Sequence, residues 1–152
     1  MDNFKNHPIN IISVFPTCLS IKANIEPDPL VGVEITYSLQ TAHSEYDREN
    51  KIISVKVKFE IEDAKGDEEK PPFVMLVDLM ARFEVDESRF PIAHIDDWAA
   101  RNAPIIVYPY LRERVYALTI QAGFKPLLLP LVEVPTFKIE KKISPTEEGK
   151  SS

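Results

Sequence analysis

The chain has 152 residues, 44% hydrophobic and 28% charged, a composition suited to a single globular domain with its own core. Its net charge of −6 argues against nucleic acid as a partner, and one cysteine excludes an internal disulfide and fits a reducing compartment. No apolar run approaches the roughly 18 residues of a membrane-spanning helix, and the N-terminus lacks the pattern of a secretory signal, so a cytoplasmic protein is expected.

Residues 1–8 are polar and read as a flexible start. A first strand follows over Ile9–Ile25, with Leu19, Ile21 and Ala23 alternating against Ser20, Lys22 and Asn24. Pro16 cannot donate to a ladder, which places that strand at an edge or calls for a bulge. After the EPDP turn, Val31–Gln40 reads as a second strand with Val33, Ile35, Tyr37 and Leu39 on one face, and Thr41–Asn50 as a charged connection. The third strand alternates through Ile53, Val55, Val57, Phe59 and Ile61, and the polar stretch Glu62–Pro72 separates it from a fourth over Phe73–Val85. Connections this short between successive strands predict an antiparallel sheet, whose uniformly apolar face needs a helical layer.

Helical material comes next. A short helix is expected over Ile92–Arg101, then a main helix starting at Pro104 or Pro109. Val107, Leu111, Val115, Leu118 and Ala122 form its apolar stripe, and Arg112, Glu113, Arg114, Thr119 and Gln121 read as its wet positions. Gly123 is the left-handed stop, and Pro126, Pro130 and Pro135 keep the following leucine-rich ribbon extended. The fold expected is α+β: a four-stranded antiparallel sheet with one face covered by a long helix and a proline-rich ribbon. The domain runs over residues 9–138, with a disordered tail over 139–152.

Chemistry is sparse. His7, His43 and His94 share no metal-ligand spacing, and His94 with Asp96 and Asp97 reads as a solvated helix start rather than a cation site. Cys18 has no histidine in a partner motif, and four glycines leave no room for a phosphate loop. Neither a metal nor another cofactor is called for, and no catalytic residue is assigned. What stands out is apolar surface on the main helix and the ribbon beyond what one sheet can cover, the mark of oligomer contacts or of a greasy binding groove. Arg112, Glu113 and Arg114 form either a solvated local cluster or a contact across a subunit boundary.

The run APIIVYPYLRERV, the Gly123-Phe124 stop and the KPLLLPLVEV ribbon resemble a segment of the SecB family of protein-export chaperones. LSIKA in the first strand, TAHS after the second and Gly66 after the third fall in the family's order, so the resemblance spans about residues 9–135. Its most specific element is PYxRE (Pro109, Tyr110, Arg112, Glu113) with a glycine ten residues on. The resemblance implies a homotetramer, a dimer of dimers, holding unfolded polypeptides in long apolar grooves without ATPase activity. Matched by position, the client groove draws on Ile35, Tyr37, Leu39, Tyr108, Tyr110, Leu127, Leu129 and Leu131, and the oligomer contacts on Arg112, Val115, Tyr116 and Thr119. Two departures qualify the picture. Phe137–Ser152 lacks the family's amphipathic C-terminal helix. Members that dock on the SecA translocase use outer-face acidic residues where this chain has Cys18, Lys22, Val74 and Leu76, so SecA is not expected as a partner. A chaperone dedicated to one client, such as an antitoxin, is the alternative. A small acyl-ester hydrolase is a more distant one, and element order argues against its hot-dog version.

Overall fold

The computed structural model describes residues 4–132, so the tail expected over 139–152 lies outside the described residues. Strands β1 (Ile9–Ala23), β2 (Ser38–His43), β3 (Ile52–Ile61) and β4 (Phe73–Val85) form one antiparallel sheet in the order β1-β4-β3-β2. Its centre is the β3–β4 pair. Ile53 faces Phe83, Val55 faces Ala81, Val57 faces Leu79, Phe59 faces Val77 and Ile61 faces Met75. All ten side chains are at most 1% exposed. Burying each large one stabilises the fold by about 1.5–3 kcal/mol, which makes this ladder the spine of the core.

Pro16 has both consequences expected of it. β1 is an edge strand, and its register against β4 shifts between Ile11 and Ser13 and again between Pro16 and Cys18. Asn6, His7 and Pro8 are tied to the rest of the fold. The Arg89 guanidinium donates to the Asn6 carbonyl at 2.8 Å, the Asp86 N–H donates to Pro8, and the His7 ring stacks on Trp98 at 6.2 Å.

The second strand is displaced from where alternation places it. It occupies Ser38–His43, so its last residues come from the expected connection, while 31–37 carry no ladder. The cause lies in its neighbour: β3 ends at Ile61, and the polar stretch 62–72 turns away, leaving 31–37 nothing to pair with. At the other end the hairpin closes tightly. The Asp47 carboxylate accepts the Glu49 and Asn50 N–H groups, and Lys51 adopts φ 59°. Because β1 and β2 lie at opposite edges, residues 24–37 must cross from one side of the sheet to the other.

A 3₁₀ turn (Ile92–His94) leads into α1 (Ile95–Arg101), and α2 (Ala103–Gln121) follows across Asn102, whose backbone is itself helical. Pro104 sits in the first turn, where no N–H is required, and the helix continues through Pro109, which faces solvent and denies Ile105 a donor. Helix α2 ends in a Schellman motif. The Phe124 N–H donates to the Thr119 carbonyl and that of Gly123 to Ile120, with Gly123 at φ 88°. Phe124 then buries itself against Phe73, ring centroids 4.7 Å apart.

Gly123 is doubly constrained, because a Cβ there would also sit 3.2 Å from Cβ of Pro27 on the crossing segment. Gly123→Ala is expected to destabilise the chain by about 1–2 kcal/mol from the left-handed backbone alone. Urea unfolding at fixed protein concentration measures this.

Candidate functional site

Helix α2 divides its surface between two duties. Its inner side places Ala103, Pro104, Val107, Tyr108, Leu111, Val115 and Thr119 in the core. Its outer side leaves Ile106, Tyr110, Tyr116 and Ile120 between 40% and 48% exposed, a stripe at helical spacing with only Glu113 interrupting it. Glu113 pairs locally with Arg114 at 3.8 Å.

Three side chains of α2 hold the ribbon. The Tyr108 hydroxyl donates to the Pro130 carbonyl, and the Arg112 Nε donates to the Leu129 carbonyl at 2.9 Å. Thr119 Oγ1 accepts the Leu127 N–H at 3.0 Å while donating back into its own helix. This corrects the sequence reading of Thr119 as wet. It is fully buried because the ribbon and the helix satisfy its hydroxyl. Of the residues expected at oligomer contacts, Val115 and Thr119 are buried within the protomer, Arg112 is half-buried and bonded to the ribbon, and Tyr116 is exposed.

The residues expected in a client groove are likewise sorted. Tyr108 and Leu129 are 3% and 1% exposed: Tyr108 lies on the core side of α2, and Leu129 is the ribbon residue turned down into the core. Ile35, Tyr37, Leu39 and Leu127 are half-buried and packed against the core, while Tyr110 and Leu131 are open. The Phe59 and Tyr37 rings pack at a tilt, centroids 5.1 Å apart, which holds the crossing segment on the sheet. Pro130, held by Tyr108, brings the ribbon to the same region. Exposed leucines therefore flank a line of half-buried apolar groups, with Leu128 and Leu131 on the ribbon and Leu30 and Val31 at the tip of the crossing segment. Sequence reasoning missed that tip. Its signal is the Asp28 turn, whose carboxylate caps the Leu30 N–H and presents Leu30 to solvent.

Beside Tyr37 a cleft of about 870 Å³ opens between residues 34–38 and the β3–β4 connection. Its walls carry Glu34, Glu60, Glu62, Asp63, Glu68 and Glu69 against Lys65 and Lys70. Among the described residues, no three His, Cys, Asp or Glu side chains cluster so as to hold a metal ion, and Asp97 pairs with Arg101 at 3.1 Å. No helix among them is long and apolar enough to cross a membrane.

On the opposite sheet face, Lys22 stands across from Val74, and Ser20 across from Leu76, one step from Cys18. The register thus gathers Cys18, Lys22, Val74 and Leu76 into one patch. The neighbouring carboxylate, Asp78, is paired with Lys56 at 3.2 Å.

Burial holds the Tyr108 phenol above the usual phenolic range, with the Tyr37 phenol adding to the rise and Arg112 opposing it. Its folded pKa is therefore the higher one. The contribution is fully present below the unfolded phenol's value of about 10 and is lost as pH rises beyond it. Tyr108→Phe should lower stability by about 1 kcal/mol at neutral pH through the lost Pro130 hydrogen bond. It should also flatten the stability decline above pH ~10 relative to wild type, as read by denaturant titrations across alkaline pH.

Three comparisons bear on what this geometry belongs to. The family model described as "SecB: Preprotein translocase subunit SecB" matches residues 5–138. Among solved structures, the Mycobacterium tuberculosis Rv1957 SecB-like chaperone, solved with a ChAD peptide from the Rv1956 HigA1 antitoxin, superposes with a TM-score of 0.67. It is 17% identical, over 82% of this chain and 91% of that one. A Streptococcus agalactiae protein of unknown function aligns at 11% identity over 80% of this chain and 96% of that one, with a TM-score of 0.41. No curated protein sequence gives a significant match.

Proposed function

The chain belongs to the SecB family and is a SecB-like holdase chaperone, and we propose that it holds non-native polypeptide, as a homotetramer, along the apolar line beside the ribbon. The observation that carries this is the family match over residues 5–138, nearly all of the chain. The surface described above supports its details. Half-buried Ile35, Tyr37, Leu39 and Leu127, bounded by exposed Tyr110 and Leu131, offer an extended chain apolar contacts while the core stays closed. Binding needs no nucleotide, cofactor or catalytic group in this reading, and it takes place in the cytoplasm.

Two surfaces suit partner subunits. One is the outer stripe of α2, Ile106, Tyr116 and Ile120, which has no cover among the described residues of the protomer. The other is β1, a 15-residue edge strand with unpaired main-chain groups along its free side. A stripe on one side and an edge on another support two different interfaces, as a dimer of dimers requires.

The dedicated-client reading is a second form of the same function. The patch of Cys18, Lys22, Val74 and Leu76 offers a cation and apolar groups where SecA docking would call for carboxylates. Delivery to that translocase is therefore left out of the proposal. A client segment resembling the antitoxin peptide carried by the mycobacterial structure fits the same groove.

The purified chain should suppress aggregation of a chemically unfolded client without ATP, and a chain that leaves light scattering unchanged would sink the reading. Tyr37→Glu and Leu131→Glu should each weaken client binding about tenfold or more, since a carboxylate facing an apolar ligand must be desolvated. Unchanged affinity in both would remove this groove. Leu129→Glu is a poor probe of the same point, because a buried carboxylate there would unfold the ribbon. In analytical ultracentrifugation, Ile106→Glu with Ile120→Glu should convert tetramers to dimers while β1 contacts persist.

A further inference from the structure

The β2–β3 ladder opens at the Ser38–Glu60 pair, yet the strand pattern of burial continues toward the N-terminus. Val33, Ile35 and Tyr37 stay half-buried against the core, while Glu34 and Thr36 stay exposed. The phase of the ladder says where their main chain points. The Ser44 N–H donates to the Ser54 carbonyl, so even-numbered residues of this strand direct their main-chain groups at β3. Carried through the same alternation, Glu34 and Thr36 turn theirs to the side that β3 has vacated. Residues 32–37 make no main-chain hydrogen bond among the described residues. On that side lies the cleft of about 870 Å³, lined by residues 34–38 and by the β3–β4 connection.

Two features decide what such a cleft takes. Main-chain donors and acceptors in strand alternation are matched by the main chain of another extended segment, which is how an open edge gains a strand. The walls supply the second feature, with six carboxylates against two lysines. Glu60 is paired with Lys58 at 3.6 Å, but Glu34, Glu62 and Glu69 form no ion pair among the described residues. A guest carrying carboxylates is repelled from these walls, and one carrying cations is drawn in. A bare metal ion is a poor match, because no three of the described acidic side chains come together to hold one.

We propose that residues 33–37 take one extended, lysine- or arginine-bearing segment of a client as an added strand in this cleft. Its main chain bonds to that of Glu34 and Thr36, and its cations meet Glu34, Glu62 and Glu69. Side chains of neighbouring strands share faces, so the guest's cations fall on the Glu34 face and its apolar residues on the face of Ile35 and Tyr37. The ribbon offers apolar contact through Leu128 and Leu131. The cleft adds main-chain polarity and charge. Taking the guest to be part of a client rests on the holdase reading; the strand addition does not.

The probes are fluorescein-labelled peptides of about ten residues, titrated into the full chain in its native assembly. One alternates Lys and Val, one alternates Glu and Val, and one is the Lys–Val peptide N-methylated throughout. The Lys–Val peptide should bind about tenfold or more tightly than either of the others, with an affinity that falls as salt rises. In amide hydrogen exchange it should slow the Glu34 and Thr36 amides by about tenfold or more, as new main-chain hydrogen bonds do. The triple variant Glu34→Gln, Glu62→Gln, Glu69→Gln keeps the shape of the walls and should lose the preference for Lys–Val over Glu–Val. Equal binding of those two peptides by the wild-type chain would overturn the proposal. So would undiminished binding of the N-methylated peptide, or exchange slowed only along ribbon residues 127–131, which would put the peptide in the apolar groove alone. A wild-type chain that suppresses client aggregation but shows no peptide preference would overturn this inference and leave the holdase reading standing. Preference for Lys–Val with slowed exchange at 34 and 36, in a chain that suppresses no aggregation, would uphold the added strand and overturn the holdase reading instead.

Discussion

The inner face of the β3–β4 ladder has to be kept dry, and α2 is the only long helix among the described residues available to do it. A helix of 19 residues spans about 28 Å, enough to run the length of these strands but too narrow to roof four of them. The remaining width falls to two pieces of irregular chain, the crossing segment 24–37 and the ribbon after Gly123. Irregular chain carries unpaired main-chain groups, so it can lie on a core only where something satisfies them. Tyr108, Arg112 and Thr119 do this for the ribbon, each reaching from α2 to a main-chain group of Leu127, Leu129 or Pro130. The crossing segment has no such set of clamps. It is held through Tyr37 on Phe59 and through the apolar contacts of Val33 and Ile35, and its main-chain bonds are confined to Asn24 and to the turn at Asp28–Val31 among the described residues.

That difference explains which parts of the fold could be read in advance. Alternation along β3 and β4 reports which side chains are buried, and since those strands also pair, strand and burial coincide. Along 31–37 the alternation is equally clean and the burial follows it, but no partner strand is present. Periodicity measures the face and is silent on the ladder, so the second strand moved by several residues. The helix stop at Gly123 was legible because the left-handed backbone leaves few other residues in its place. Thr119 was misjudged by side-chain polarity alone. Its position four residues beyond Val115 and eight beyond Leu111 puts it on the buried stripe, and spacing was the better guide.

The site was legible in outline for a related reason. Excess apolar surface is visible in composition, but its division between floor and rim depends on where the ribbon settles, which no single stretch encodes. Leu127, Leu129 and Leu131 alternate along the ribbon, yet Leu129 is buried, Leu127 is half-buried and Leu131 is open. The hydrogen bonds to Leu129 and Pro130 pull the middle of the ribbon down onto α2 and leave its end free.

A protein whose task is to hold other chains faces a conflict between exposing apolar groups and aggregating through them. Here Ile35, Tyr37, Leu39 and Leu127 sit at intermediate burial, packed against a core that stays closed. The ring of carboxylates around the adjoining cleft adds a second restraint, since like charge keeps the cleft of one copy from meeting that of another.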